Sequence, residues 1–271
     1  MHLEQQDLSQ ILETAIVAAR LAGQRAMEEI HYVKATLKHE TELVTETDRR
    51  CQQIIVNRIR ETFPDAGFIG EEGEPGQIFK RGPRGEPALW WVIDPIDGTN
   101  NFAHGIPIFA VSIGVLLEGR PVAGVVFNPA TDSMYTAVAG GEAQLDGRRI
   151  QSGTDDIKPV TSVGLDSHFG STLPVWVQLI VRQCRFRNFG TTALQMAYVA
   201  GGGLVGMIAC TPKLWDIAAG AALAEASGAT ITDWQGQPLF PIEPAEYEGK
   251  PFQLVAANQT AHPKLLEYLK W

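Results

Sequence analysis

The sequence lacks the signatures of several common chemistries. It has no GxSxG nucleophile elbow, no HExxH helix and no Walker phosphate loop, so serine-hydrolase, zincin and P-loop mechanisms have no residues to run on. Cysteine is scarce. Cys51, Cys184 and Cys210 are odd in number, far apart and without CxxC or Cys/His spacing. This excludes a disulfide framework and a thiolate metal site, and predicts a reduced, cytoplasmic protein. Positive charge is also short: 22 Lys plus Arg stand against 31 Asp plus Glu, a formal net charge of −9, so nucleic acid is not an expected partner. Glu4, Asp7, Glu13 and Arg20 break up any signal-peptide core near the start. The uncharged run over residues 188–212 is interrupted by Asn188, Gln195 and the Gly201-Gly202-Gly203 triplet, and reads as buried core rather than a membrane span. No Ser-, Pro- or Gly-rich linker and no internal repeat divides the chain.

What is present is globular: 45% apolar and 20% charged residues in a chain of 271. Residues 8–30 place Leu8, Ile11, Leu12, Ala15, Ala19, Ala22 and Ala26 on one helical face, with Asp7 and Gln10 at capping-box spacing. A second helix is predicted from Thr45, with Asp48 three residues on, to just before Pro64. Residues 73–87 read as a loop, with 73–85 the natural mobile flap. Apolar runs over 89–93, 108–117, 122–127 and 133–138 then predict an antiparallel meander, and Asp146-Gly147 a tight hairpin turn. From about Val160 strands and helices alternate: strands 160–165, 184–189, 204–209, 229–233 and 253–257, helices 173–182, 191–200, 216–227 and 261–270. Residues 1–150 therefore read as an N-terminal α+β half and 151–271 as a C-terminal α/β half, together one compact unit.

The most informative stretch is WWVIDPIDGTNNFAH, residues 90–104. An apolar strand delivers Asp94, Pro95 breaks the ladder, and Asp97, Gly98 and Thr99 follow in a turn. Two carboxylates three residues apart can converge on a hard cation, with the Ile96 carbonyl as a further oxygen ligand. Gly98 lets backbone N–H groups approach an anion, and Thr99 can orient a water. On this segment alone an Asx-type turn is an equal alternative. The adjacent Glu71 and Glu72 of FIGEE fit a solvated loop as well as a ligand pair. Asp216 after Trp215 fits a helix cap, and Asp48 the acidic member of a capping box. His31, His39 and His168 read as surface or loop histidines, and Trp90 and Trp91 as core.

Taken together, Leu43-Val44-Thr45-Glu46-Thr47-Asp48, Gly70-Glu71-Glu72, the segment from Asp94 to Thr99 with Asn101, Phe102 and His104, Gly190-Thr191-Thr192-Ala193, and Trp215-Asp216 with Gly228-Ala229 resemble the inositol monophosphatase family. That family belongs to the lithium-sensitive phosphatases related to fructose-1,6-bisphosphatase. The resemblance implies an α+β fold, a layered αβαβα sandwich. It also implies a Mg²⁺-dependent phosphomonoesterase acting on a small phosphorylated polyol, away from membranes and commonly as a homodimer. Glu71, Asp94 and the Ile96 carbonyl would hold a first Mg²⁺, and Asp94, Asp97 and Asp216 a second, with a third, weaker ion near Glu71. Thr99 paired with Asp48 would polarise the attacking water, the N–H groups of Gly98 and Thr99 would bind phosphate, and Gly190 and Thr191 would face the alcohol. Arg187, in a cluster with Arg182 and Arg185, falls where the family has a substrate-side arginine, for substrate or dimer contact.

Two departures bear on the substrate. Inositol-handling relatives carry an acidic residue seven positions before the aspartate of Trp-Asp, where this chain has Ala209; the count predicts that position 209 faces the alcohol. The lysine that relatives place ahead of Leu-Val-Thr is out of register, with Leu37 in its place and Lys38 adjacent. Histidinol phosphate, fructose 1,6-bisphosphate, 3′-phosphoadenosine 5′-phosphate and NADP(H) are therefore alternatives to inositol 1-phosphate, as is a regulatory binding protein that keeps the fold.

Overall fold

The computed structural model describes residues 3–32, 35–37, 43–74, 77–166, 169 and 172–271. The expectations for His39, His168 and Lys38, and part of the expected flap, lie outside these residues. The chain runs α1 (Gln5–Glu29), β1 (Ala35–Leu37), β2 (Leu43–Thr45), α2 (Glu46–Thr62), β3 (Gly67–Gly70), β4 (Phe79–Arg81), β5 (Trp90–Asp97), α3 (Thr99–Ala103), β6 (Ala110–Leu117), β7 (Arg120–Asn128), β8 (Ser133–Val138), β9 (Gln144–Leu145) and β10 (Arg148–Arg149). It continues with β11 (Ser162–Leu165), α4 (Val175–Gln183), β12 (Arg185–Arg187), α5 (Thr192–Ala200), β13 (Gly206–Ala209), α6 (Leu214–Ser227), β14 (Thr230–Asp233), β15 (Leu254–Ala257) and α7 (His262–Tyr268).

These elements stack in five layers, α, β, α, β, α. The periodic faces of α1 and α2 bury Ile11, Ala15, Ala19, Ile55 and Ile59 against Phe68, Trp91, Ile93 and Val125 on one face of a large sheet. That sheet has the order β10-β9-β8-β7-β6-β5-β3-β4. Its other face meets α5 and α6, through Ala110, Val126 and Ala137 against Leu194, Ala197 and Ala219. A second sheet, β12-β11-β13-β15-β14, covers the far side of these helices. Its outer face packs on α4 and α7 through Val163, Ile208, Val255, Trp176, Ile180 and Leu265. Trp90 and Trp91 alternate to opposite faces of β5, and both are core.

Helix α6, LWDIAAGAALAEAS, has almost no polar face because it is buried on every side. Small residues let it lie directly on the central strands. A Cβ at Gly114 would stand 2.6 Å from Ala218 Cβ, one at Gly124 2.4 Å from the Ala219 carbonyl oxygen, and one at Gly220 2.6 Å from Met196 Sδ of α5.

Two local expectations need correction. Asp7 is not the cap of α1. Glu4 holds that position, and Asp7 Oδ2 accepts from its N–H at 2.9 Å, so the box begins three residues earlier. The stretch 73–87 is not all loop. Phe79-Lys80-Arg81 forms edge strand β4, antiparallel to β3, with Lys80 Nζ donating to the Ala245 and Tyr247 carbonyls at 3.0 Å. The expected meander, β5 to β8, is antiparallel throughout, and β3 is added to its edge in parallel with β5. By contrast Asp146-Gly147 makes the two-residue turn between β9 and β10 with φ of 50° and 75°, the left-handed geometry such turns require.

The contact of α6 with the sheet gives a direct test. Gly124→Ala should cost about 1–3 kcal/mol by overpacking, seen as a drop in melting temperature. Gly82→Ala, which meets nothing within 4 Å, should leave that temperature unchanged. Equal behaviour of the two variants would contradict the close approach.

Candidate metal and catalytic site

Strand register assembles the site. In the parallel pair, Gly70 stands opposite Ile93, and Glu71 N–H donates to the Ile93 carbonyl at 3.3 Å, so Glu71 emerges beside Asp94. Gln52 of α2 clamps the next residue: its Nε2 donates to the Glu72 carbonyl at 2.6 Å and its Oε1 accepts from Glu72 N–H at 3.0 Å. Strand β5 continues through Pro95 to Asp97, with the ladder broken at the proline as expected. The ladder with β6 shifts between Asp94, opposite Ser112, and Asp97, opposite Ala110. This bulge makes room for the proline and turns both aspartates toward one cleft. Gly98 follows with φ 99°, and a Cβ there would press on the Gly190 and Ile108 carbonyls at 3.1 and 3.2 Å. Only glycine fits both demands.

The third carboxylate arrives on α6. Asp216 occupies the third position of that helix rather than its cap, with Oδ2 accepting from Lys213 N–H at 2.7 Å. Ser112 Oγ fastens the same turn to β6 by donating to the Trp215 carbonyl at 3.0 Å. One carboxylate oxygen from each of Asp94, Asp97 and Asp216 lies within 4.8 Å of the others, and Glu71 borders the same cleft. An all-oxygen, anionic, largely buried donor set of this kind suits a hard divalent cation.

The electrostatics register the crowding. Asp94 is driven well above the usual carboxylate range by burial and by the charges of Glu71, Asp97 and Asp216. Asp97 is pushed up to about 7, first by burial and then by Asp216, against hydrogen bonds from Thr191 and the Ala193 and Thr192 amides. Burial likewise takes Asp216 to about 6. Asp97 thus answers to both readings of its motif. It belongs to the acidic cluster, and Oδ2 also accepts from Thr191 Oγ1 and from Ala193 N–H at 2.6 Å, anchoring the start of α5.

Beside the cluster, Thr45 caps α2 and Asp48 completes the capping box, its Oδ2 accepting from Thr45 N–H at 2.9 Å and from the Thr45 hydroxyl. Its other oxygen lies 3.0 Å from Thr99 Oγ1, which is also 3.0 Å from the Ile96 carbonyl oxygen. The hydroxyl has one proton to give; donated to Asp48, it leaves the Ile96 carbonyl available to a cation. Burial, with the nearby Glu72 charge, holds Asp48 at about 6 despite its hydrogen bonds.

The cleft, about 1610 Å³, is bordered by Gly98, Thr99, Gly190 and Thr191 as well as by the carboxylates. Asn101 joins its two walls, Nδ2 donating to the Ile108 and Phe189 carbonyls at 2.7 Å. Two expected residues are elsewhere. Arg187 lies exposed on edge strand β12 with its guanidinium on the Phe186 carbonyl at 2.9 Å, and it does not border the cleft. Ala209 is fully buried among Leu214, Leu254 and Ala256. An aspartate borders the cleft from the neighbouring strand. Leu165 of β11 pairs with Ile208, and the next residue, Asp166, borders the cleft with Oδ2 2.5 Å from Cys210 N. Sequence spacing alone did not point to Asp166 or to Gln195, a cleft residue on α5.

Known proteins resemble this chain along nearly its whole length. The family model described as the inositol monophosphatase family matches residues 7–270. The inositol-1-monophosphatase of Rhizobium meliloti is 35% identical over 237 residues, 84% of this chain and 87% of the relative. The Nus factor SuhB of Escherichia coli is 31% identical over 269 residues, 96% of this chain and 98% of the relative. Among solved structures, the Thermotoga maritima IMPase superposes with a TM-score of 0.83 at 28% identity, covering 96% of this chain and 97% of that one.

The raised carboxyls predict how metal-free stability depends on pH. Their unfolded values lie near 4. Between about pH 4 and 7 the folded chain therefore binds more protons than the unfolded one, and these groups destabilise the fold increasingly as pH rises. Asp94→Asn keeps an oxygen for the Ile96 N–H, bonded at 3.0 Å, and removes one charge. In denaturant unfolding with EDTA it should equal or exceed wild type at pH 8, with the gap closing toward pH 5. A variant clearly weaker at pH 8 would refute the crowded-anion description.

Proposed function

Because this chain belongs to the inositol monophosphatase family, whose members are metal-dependent phosphatases acting on small phosphorylated substrates, we propose that it hydrolyses the phosphate monoester of a small polyol, with inositol 1-phosphate the reference substrate. The observation that carries the reading is the convergence of Asp94, Asp97 and Asp216 beside the Asp48–Thr99 hydrogen bond. A phosphate monoester is a dianion, and an acidic cluster by itself repels it. Mg²⁺, two or three ions per site, would supply the compensating charge and the Lewis acidity for the attacking and departing oxygens. Glu71, Asp94, Asp97, Asp216 and the Ile96 carbonyl would hold the ions.

The chain's other groups supply orientation and proton handling. Thr99, donating to Asp48, presents its lone pairs to a water and fixes its direction of approach. Asp48, with a value near 6, is matched to accept a proton near neutral pH. The N–H groups of Gly98 and Thr99 would receive the phosphate oxygens, a role the absent Cβ at Gly98 permits. Gly190 and Thr191, pinned through Asn101 and Asp97, would form the wall on the alcohol side. No side chain in this arrangement need form a covalent intermediate. The same reading extends to inhibition by lithium and to homodimer formation.

A second reading, a regulatory binding protein on the same fold, is favoured by the name Nus factor SuhB on relatives matched along nearly the whole chain. A phosphate-release screen separates the two. Inositol 1-phosphate, histidinol phosphate, fructose 1,6-bisphosphate, 3′-phosphoadenosine 5′-phosphate and NADP are offered with Mg²⁺ and with EDTA. Magnesium-dependent release from at least one is expected, and silence on all would favour the binding role. On an active substrate, Asp94→Asn and Asp216→Asn should each retain less than about a tenth of turnover at saturating Mg²⁺, because they remove transition-state stabilisation. Thr99→Ala should lower kcat more than it raises KM, and a pure KM effect would remove Thr99 from water positioning.

A further inference from the structure

The turn that carries Asp216 rests on Ser112 beneath, and it is also held from outside by a segment with no part in the chemistry above. The connection from β14 to β15, residues 234–253, crosses to the first sheet, where Ile242 N–H donates to the Gly119 carbonyl at 2.9 Å. It makes one 3-10 turn at Pro244–Glu246 and returns along the rim of the cleft, which Glu248 and Gly249 border. Two lysines secure this strap. Lys80 Nζ of β4 donates to the Ala245 and Tyr247 carbonyls at 3.0 Å, and Lys213 Nζ to the Gly249 carbonyl at 2.9 Å. Phe252 N–H ties its far end to the Pro212 carbonyl at 2.8 Å.

Tyr247 is the residue of the strap that turns inward. It is 6% exposed, and its ring is stacked on Phe252 and edge-on to Trp215. Its hydroxyl accepts from Leu214 N–H and donates to the Lys250 carbonyl, both at 3.0 Å. Leu214 is the first residue of α6 and fully buried, so its N–H is one of those a helix start leaves without an intrahelical partner. The acceptor comes instead from outside the helix, 33 residues further on. The preceding N–H, that of Lys213, goes to Asp216 Oδ2 at 2.7 Å. Two successive N–H groups of one turn thus face a carboxylate of the acidic cluster and the strap, and the bearing of Asp216 toward Asp94 and Asp97 depends on where Tyr247 stands.

We infer that Tyr247 is a positioning residue for the metal site: through Leu214 its hydroxyl sets the tilt of the first turn of α6, and with it the fit of Asp216 to a small, geometrically demanding cation. The inference rests on the metal-dependent phosphatase reading. Mg²⁺ requires near-ideal octahedral coordination, whereas Ca²⁺ accepts looser and less regular sets of oxygens. A turn released from the strap should therefore lose Mg²⁺ far more than Ca²⁺.

The test needs no substrate. Wild type and Tyr247→Phe, which keeps the ring and removes the acceptor, are melted in EDTA and across Mg²⁺ and Ca²⁺ series at constant ionic strength, and the linkage relation gives Kd for each ion. In the variant the Mg²⁺ Kd should rise about tenfold or more, the scale on which groups that orient a metal ligand act, and the Ca²⁺ Kd clearly less. Lys80→Met frees the strap without touching α6. It should also weaken Mg²⁺, although removing a positive charge from the cleft would by itself strengthen cation binding. Should Tyr247→Phe not fold, Lys80→Met carries the comparison alone. Unchanged Kd values with only a lower melting temperature in EDTA would reduce Tyr247 to packing and overturn the inference, as would an equal loss of both ions. A wild type that binds neither ion would overturn the metal-dependent reading, and this inference with it.

Discussion

Buried negative charge that no buried lysine or arginine among the described residues matches, with only half-buried Lys213 acting on Asp216, is the constraint around which this molecule is arranged. Asp94, Asp97 and Asp216 bring carboxylate oxygens within 4.8 Å of one another, and no lysine or arginine pairs with them among the described salt bridges. Hydrogen bonding supplies only partial relief. Asp97 has Thr191 and the start of α5, Asp216 has the Lys213 amide, and Asp94 has the Ile96 amide. Each of these bonds favours the ionised form, yet burial and mutual repulsion outweigh them, and all three groups hold protons more tightly than free aspartate. Such an arrangement costs stability in the isolated chain and gives a cation a large advantage in the folded one.

The fold meets the cost with unusually close packing around α6. Glycines on β6 and β7 and alanines on the helix bring backbone against backbone, so the helix that carries Asp216 is held by the same sheet that carries Asp94 and Asp97. Ser112 then fixes its first turn from beneath. The geometry of the site is thereby set by main-chain contacts and strand register, which vary far less than exposed side chains do.

Much of this was legible in the sequence. Helical periodicity, the Thr45–Asp48 box and the Asp146-Gly147 turn are local patterns governed by local physics, and the chain carries each of them out. The convergence of Asp94, Asp97 and Asp216 was accessible because a family resemblance joined segments that no spacing rule connects. Edge strand β4 escaped notice because it pairs on one side only, is three residues long, and sits in a stretch rich in glycine, proline and charge. That Asp166 borders the cleft while Ala209 is buried was hidden for a different reason. Which neighbouring strand ends in a carboxylate at the cleft depends on β11 lying beside β13, a tertiary fact with no trace in linear spacing.

The order of assembly follows from where the carboxylates sit. Asp48 and Glu71 come from the first two layers, Asp94 and Asp97 from the bulged end of the central strand, and Asp216 from a helix laid down after most of the second sheet has been threaded. The set spans residues 48–216, and contacts between such distant segments must first meet a loop-closure entropy. A nascent or partly folded chain would therefore lack the assembled cluster. Capture would be postponed until the layers have closed, and an ion held there would oppose local opening of α6, a lock on the finished molecule rather than a seed for its folding.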